Sequence, residues 1–233
     1  MTEGSPLWGA LGMLGSLDAR VLEVVGLSLA ASSLATAAAT VVGLPAALAL
    51  GLGRFRGRRL LRAVVRSLMM VPAVLIGLLV YLLLGRGGPF GGLEWLYTPW
   101  AIVVAQALLG LPLATALFVS AFESVDPLLL DAIRTSGAGP WWTARAAVRQ
   151  AAPALFAGGL TAFARVIGET GMTLMVGGNI LGQTRTMTTA IATETMRGEF
   201  ELAIALGIVL LGLSLVVNVA LLLLEPRADA RAR

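Results

Sequence analysis

An all-α integral membrane protein with five transmembrane helices is the fold class this sequence predicts, on two observations. Apolar residues make up 58% of the chain and charged residues only 13%, with a mean hydropathy of +0.88, whereas roughly a quarter of a soluble domain is charged. Apart from Arg165 and Glu169, the charges are also confined between long apolar runs, which place spans at about 24–52, 67–84, 100–122, 154–176 and 202–224. The runs are 18 to 29 residues long, enough to cross about 30 Å of hydrocarbon, which takes roughly 20.

Composition excludes several chemistries. All 17 basic residues are arginine, and the chain has no Lys, His or Cys. Without lysine there is no phosphate-loop Lys, so any ATP hydrolysis must take place on another subunit; His or Cys zinc sites and thiol chemistry are likewise ruled out. These exclusions leave no phosphate-loop ATPase, zinc or thiol chemistry on this chain. Net charge is +4, but the arginines gather at membrane edges, so lipid rather than nucleic acid is the expected surrounding.

Taken in order, residues 1–20 read as a polar external segment with no basic stretch ahead of a short apolar core, hence no cleavable signal. In the first span Ser28, Ser32, Thr36 and Thr40 recur every fourth residue, a stripe suited to helix packing or to a path wall. Gly43 and Pro45 predict a kink near its end. Arg54, Arg56, Arg58, Arg59, Arg62 and Arg66 follow without an intervening acid, which puts this loop in the cytoplasm. The second span carries Pro72 and Gly77, and the glycine-rich segment 85–99 then reads as an external loop. Gln106, Gly110 and Pro112 mark the third span as packed or path-lining. The fifth ends before an Arg-rich tail, 226–233, expected inside; five spans then put the N-terminus outside.

The polar interruption at 123–153 has the composition of an ordered element. Asp126-Pro127 opens a helix, Gly137-Ala138-Gly139-Pro140 breaks it, and a second helical piece runs from Trp141 to Gln150. Asp131-Ala132-Ile133 with Gly137 resembles the cytoplasmic coupling loop of ABC importer membrane subunits, patterned Glu-Ala-Ala, three residues, Gly. Asp131 stands for the usual Glu, and Ile133 for the second Ala. In that family the loop sits in a groove of the ATPase subunit.

Arg165 and Glu169 fall inside the fourth span, where a charge near the bilayer centre costs at least roughly 2.5–3.5 kcal/mol. Four residues apart, they share a helix face and can neutralise each other, or Arg165 can offer its planar donor fork to an oxyanion in a water-filled path or on a dimer axis. The run Ala164-Arg165-Val166-Ile167-Gly168-Glu169-Thr170-Gly171, with Gly177-Gly178-Asn179-Ile180 and Thr184-Arg185-Thr186, is similar to the corresponding block of oxyanion importers. Its continuation through Thr188 to Thr195 resembles tungstate-type permeases, and molybdate and sulfate permeases share the first part.

The resemblance spans about residues 20–224 and implies a type I ABC importer transmembrane domain, a transport subunit that binds no cofactor itself and is not an enzyme. It further implies a homodimer with two ATPase subunits inside that use ATP, a binding protein outside, and alternating access as the mechanism. Tungstate is the first expected substrate, with molybdate or sulfate as alternatives. On this reading Asp131, Ala132, Ile133 and Gly137 couple to the ATPase, and Arg165, Glu169, Asn179, Thr184, Arg185 and Thr186 belong to the translocation path. An ion-coupled carrier, with Arg165 and Glu169 as relay, and a scaffold carrying no flux are the other classes the residues leave open.

Overall fold

The computed structural model describes residues 5–224, except for the Arg134 side chain. The tail at 226–233 lies outside them. Every regular element among the described residues is helical: α1 (Pro6–Gly15), α2 (Ala19–Leu52), α3 (Arg58–Leu68), α4 (Ala73–Leu84), α5 (Pro99–Glu123), α6 (Pro127–Thr135), α7 (Pro140–Ile167), α8 (Gly171–Gly177), α9 (Met187–Arg197) and α10 (Phe200–Leu224), with one 3₁₀ turn at Gly91–Leu93. Four helices, α2, α5, α7 and α10, are long and apolar enough to cross a membrane, and the α3–α4 pair makes a fifth, broken span bent by 94°.

Residues 5–20 differ from the expected polar segment. Pro6–Gly15 forms a helix that packs on α10 and buries Ala10, because its residues are apolar and the charges lie only at Asp18 and Arg20. Asp18 caps α2 by accepting the Arg20 backbone N–H at 2.8 Å. Hydrogen bonds from the Arg20 side chain and backbone hold its carboxyl below the ordinary aspartate range.

α2 packs along α5 through small residues. A Cβ added at Gly51 would lie 2.6 Å from the Phe122 Cβ, and one at Gly43 would lie 2.8 Å from the Thr115 hydroxyl, so these glycines allow the backbones to approach. Pro45, Pro112 and Pro153 lie inside α2, α5 and α7, which continue through them. Each proline leaves one carbonyl, four residues earlier, without its helical donor. Phe118 and Phe122 of α5 fill the core at one end with Ala147 and Ala151 of α7. At the other end Val80 and Leu84 meet Ile102, Met172 and Val176.

Two boundaries move. The second run was expected to span over 67–84, but its helix breaks at 69–72 and α4 is 12 residues long, about 18 Å. Pro72 cannot continue α3, and α3 is turned toward the end of α2 by its arginines. The fourth run was expected over 154–176 with a separate helical piece before it; instead α7 is one helix of 28 residues. It ends at Gly168, and α8 follows as a 7-residue helix.

Candidate functional site

The segment between α5 and α7 forms a helix ended by a left-handed glycine. The Asp126 carboxylate accepts the Leu128 N–H at 2.9 Å, which starts α6. Gly137 adopts φ +82°, and the Ser136 and Ala138 N–H groups donate to the Ala132 and Ile133 carbonyls at 3.1 and 3.3 Å, closing the end. Asp131 and Ala132 are exposed on this helix, and Ile133 is half-buried.

Beside them lies a feature that sequence reasoning missed. Leu128, Trp141 and Trp142 are 78%, 71% and 57% exposed, with the Arg145 guanidinium 5.7 Å from the Trp142 ring centroid. Leu130, on the opposite side, is buried in the core. Exposed large apolar side chains in a segment that also carries Asp126, Asp131 and Arg145 are a candidate interaction surface, and two adjacent tryptophans in a charged stretch were the available signal.

The same helix that carries Trp141 and Trp142 carries Arg165 at its far end, about 36 Å away at 1.5 Å per residue. Arg165 Nη1 donates to Glu169 Oε2 at 3.0 Å, with side chains 46% and 13% exposed. Glu169 is tied further, since its Oε1 accepts the Met172 N–H of α8 at 3.4 Å and its carbonyl accepts the Thr188 hydroxyl at 3.0 Å. Arg165 makes one ion pair among the described residues, which leaves part of its donor fork open.

Asn179, Thr184, Arg185 and Thr186 use their polar atoms differently. Gly178 and Asn179 sit at φ +72° and +51° and turn the chain back after α8. The Thr184 hydroxyl donates to the Gly177 carbonyl at 2.6 Å and accepts the Ile180 N–H at 2.9 Å. Asn179 Nδ2 donates to the Thr193 hydroxyl at 2.8 Å. The Thr186 N–H donates to the Thr189 hydroxyl at 3.0 Å, part of a capping box that starts α9. Asn179, Thr184 and Thr186, expected on the path, thus brace the α8–α9 turn, while Asn179 Oδ1 keeps no hydrogen-bond partner among the described residues.

Arg185 belongs to a buried ion pair. Its Nη1 donates to Glu194 Oε1 at 2.7 Å, with side chains 10% and 7% exposed, and Arg197 approaches the same oxygen at 3.5 Å from a largely exposed position. Glu194 had no assigned role in the sequence; it is the one acid in α9, which was its signal. Of the hydroxyl stripe on α2, Ser28 has a tertiary partner, donating to the Val24 carbonyl and accepting the Met187 N–H, both at 2.7 Å. Ser28 therefore fastens α2 to the first turn of α9. Gln106 ties α5 to α7 by donating to the Val166 carbonyl at 3.1 Å.

Residues 39–230 match the family model described as a binding-protein-dependent transport system inner membrane component. The chain belongs to this family. As an inner membrane component with several spanning helices, it is a multi-pass membrane protein of a transport system. It is 40% identical over 216 residues to the tungstate uptake system permease protein of Peptoclostridium acidaminophilum, covering 93% of this chain and 95% of that one. To a probable anion ABC transporter permease protein of Haloferax volcanii it is 39% identical, covering 88% and 91%. The molybdenum transport system permease protein of Escherichia coli (strain K12) is more distant, at 34% identity with 76% and 82% covered. In structure, the chain is similar to one in a bacterial alginate ABC transporter complex, with a TM-score of 0.65 and 15% identity, covering 96% of this chain and 87% of that one. That similarity shows the shared fold, the type I importer membrane domain expected from the sequence.

Proposed function

We propose that this chain is the permease subunit of an ATP-driven importer for a tetrahedral oxyanion, tungstate first. It works as a homodimer, with two ATPase subunits on the cytoplasmic side and a binding protein outside. The observation that carries the substrate class is the 40% identity, across 93% of the chain, to a tungstate uptake permease. The arginine-rich 54–66 segment sets the orientation, with α6 and the C-terminus inside and the N-terminus outside.

The architecture supports a specific transmission. Leu128, Trp141 and Trp142 form the apolar part of the ATPase-docking face around Asp131, Ala132, Ile133 and Gly137. α7 is continuous from that face to Arg165, so displacement of α6 by the ATPase pair is delivered along one helix to the Arg165–Glu169 pair. Glu169 also holds the start of α8, and the α8–α9 turn moves with it. Alternating access then exposes Arg165, whose fork receives the anion while Glu169 restrains it. Arg185 and Glu194 keep the turn rigid through the cycle.

The test is ATPase activity of the reconstituted complex with binding protein loaded in turn with tungstate, molybdate or sulfate. Stimulation by the tungstate-loaded protein is the expected result. Stimulation by the sulfate-loaded protein alone would overturn the substrate assignment and leave the importer class standing.

A further inference from the structure

The bend between α3 and α4 brings a charged face and an apolar hollow together in a way the transport reading does not use. At roughly 100° per residue, Arg58, Arg59, Arg62 and Arg66 share a sector of about 100° on α3, while Leu60, Leu61, Val64, Val65 and Leu68 occupy one of about 140° elsewhere on the helix. The arginines divide into two pairs. Arg58 and Arg62 turn inward, with their Nε atoms donating to the Leu50 carbonyl at 2.6 and 3.0 Å, and both flank Glu123. Arg59 and Arg66 are exposed and make no ion pair among the described residues.

Beneath the bend is an apolar hollow of about 390 Å³, lined by Val42, Ala46, Val65, Leu68, Val71 and Leu79 among others. Val65 is also a wall of a small polar recess holding Arg62, Arg66, Ser120 and Glu123. The apolar hollow and the cationic edge therefore adjoin. Glu123 does not repel an anion here, because Arg58 and Arg62 already neutralise it.

We propose that the α3–α4 bend binds an anionic phospholipid of the surrounding leaflet, one acyl chain in the hollow and the phosphate on Arg66 and Arg59. The pattern of charge selects this occupant. A free phosphate would leave the apolar hollow unused, and an apolar helix of a partner would leave Arg59 and Arg66 uncompensated. A lipid with one anionic end satisfies both halves.

The experiment places the full chain in phosphatidylcholine bilayers and measures the association of spin-labelled phosphatidylglycerol against spin-labelled phosphatidylcholine. Wild type is expected to prefer phosphatidylglycerol, and Arg66→Gln to lower that preference about fivefold, the equivalent of one arginine near an anionic surface. Arg59→Gln with Arg66→Gln should abolish it. Ala46→Phe fills the hollow while keeping every arginine, and should also abolish the preference. All variants keep the wild-type melting temperature, because the side chains replaced are exposed. An unchanged preference in the arginine variants would overturn the proposal. So would an unchanged preference in Ala46→Phe, which would mean surface charge alone, and so would full displacement of the lipid by millimolar inorganic phosphate, which would mean a free-anion site.

Discussion

Removing Glu194 should do more damage than removing Arg185, although the two form one pair. At 2.7 Å and an effective dielectric of about 20, their attraction is about 6 kcal/mol gross, most of it offset by desolvation of both groups. Glu194→Ala leaves the Arg185 guanidinium buried with no counter-charge; its Nε already lacks a protein acceptor among the described residues. Breaking a buried pair in this way costs about 3–5 kcal/mol. Arg185→Ala strands Glu194 instead, but Arg197 remains 3.5 Å away, and through its exposed position it recovers about 1 kcal/mol. Arg185→Met with Glu194→Leu removes both charges and should be neutral within about 1 kcal/mol. Thermal unfolding of the purified chain in detergent, followed by tryptophan fluorescence, reads this directly. At roughly 2–4 °C per kcal/mol for a chain of this size, Glu194→Ala should melt about 6–20 °C below wild type, Arg185→Ala a few degrees less far, and the double variant close to wild type. Equal losses in the two single variants would refute the compensation by Arg197, and a double variant worse than either would refute the pairing.

Gly137→Asp has open space for its side chain but must adopt φ +82°, so it should cost only about 1–2 kcal/mol. On the docking reading it leaves ATPase turnover in place while uptake falls at least tenfold, checked by measuring both on the same proteoliposomes; coupled transport at the wild-type rate would remove α6 from the docking face. Because the chain has no cysteine, Arg56→Cys and Leu181→Cys report topology cleanly, both sites being exposed. An impermeant thiol reagent added outside should label position 181 and spare position 56, and the reverse pattern would invert the orientation. Arg165→Leu with Glu169→Leu should yield a folded chain with clearly reduced uptake if, as proposed, the half-exposed Arg165 receives the anion. Wild-type uptake by that variant would confine the pair to a structural role.

The apolar runs were readable because crossing a membrane demands length and hydropathy, both of which are local properties. α2, α5 and α10 therefore lie where the composition puts them. What the chain concealed depends on partners distant in sequence. Pro72 announced a break, but the 94° bend follows from Arg58 and Arg62 reaching back to the Leu50 carbonyl. Pro153 read as part of a boundary, yet α7 runs through it because a proline forfeits a single helical bond. The pairing of Arg185 with Glu194, nine residues apart, depends on how the chain enters α9, and nothing in the spacing of the two charges indicates it. Pro6–Gly15 is concealed in the sequence because charges at Glu3, Asp18 and Arg20 flank its short apolar run. Between α5 and α7 the Gly137 break was legible from turn chemistry, whereas the exposure of Trp141 and Trp142 depends on the folded structure.

The most direct measurement of the central claim is uptake of radiolabelled tungstate into proteoliposomes holding this chain with its ATPase, with the binding protein supplied on the outer side. Uptake that requires both the binding protein and enclosed ATP, and that persists when proton and sodium gradients are collapsed, is the expected result. Uptake that continues without ATP and stops when an ion gradient is dissipated would contradict it.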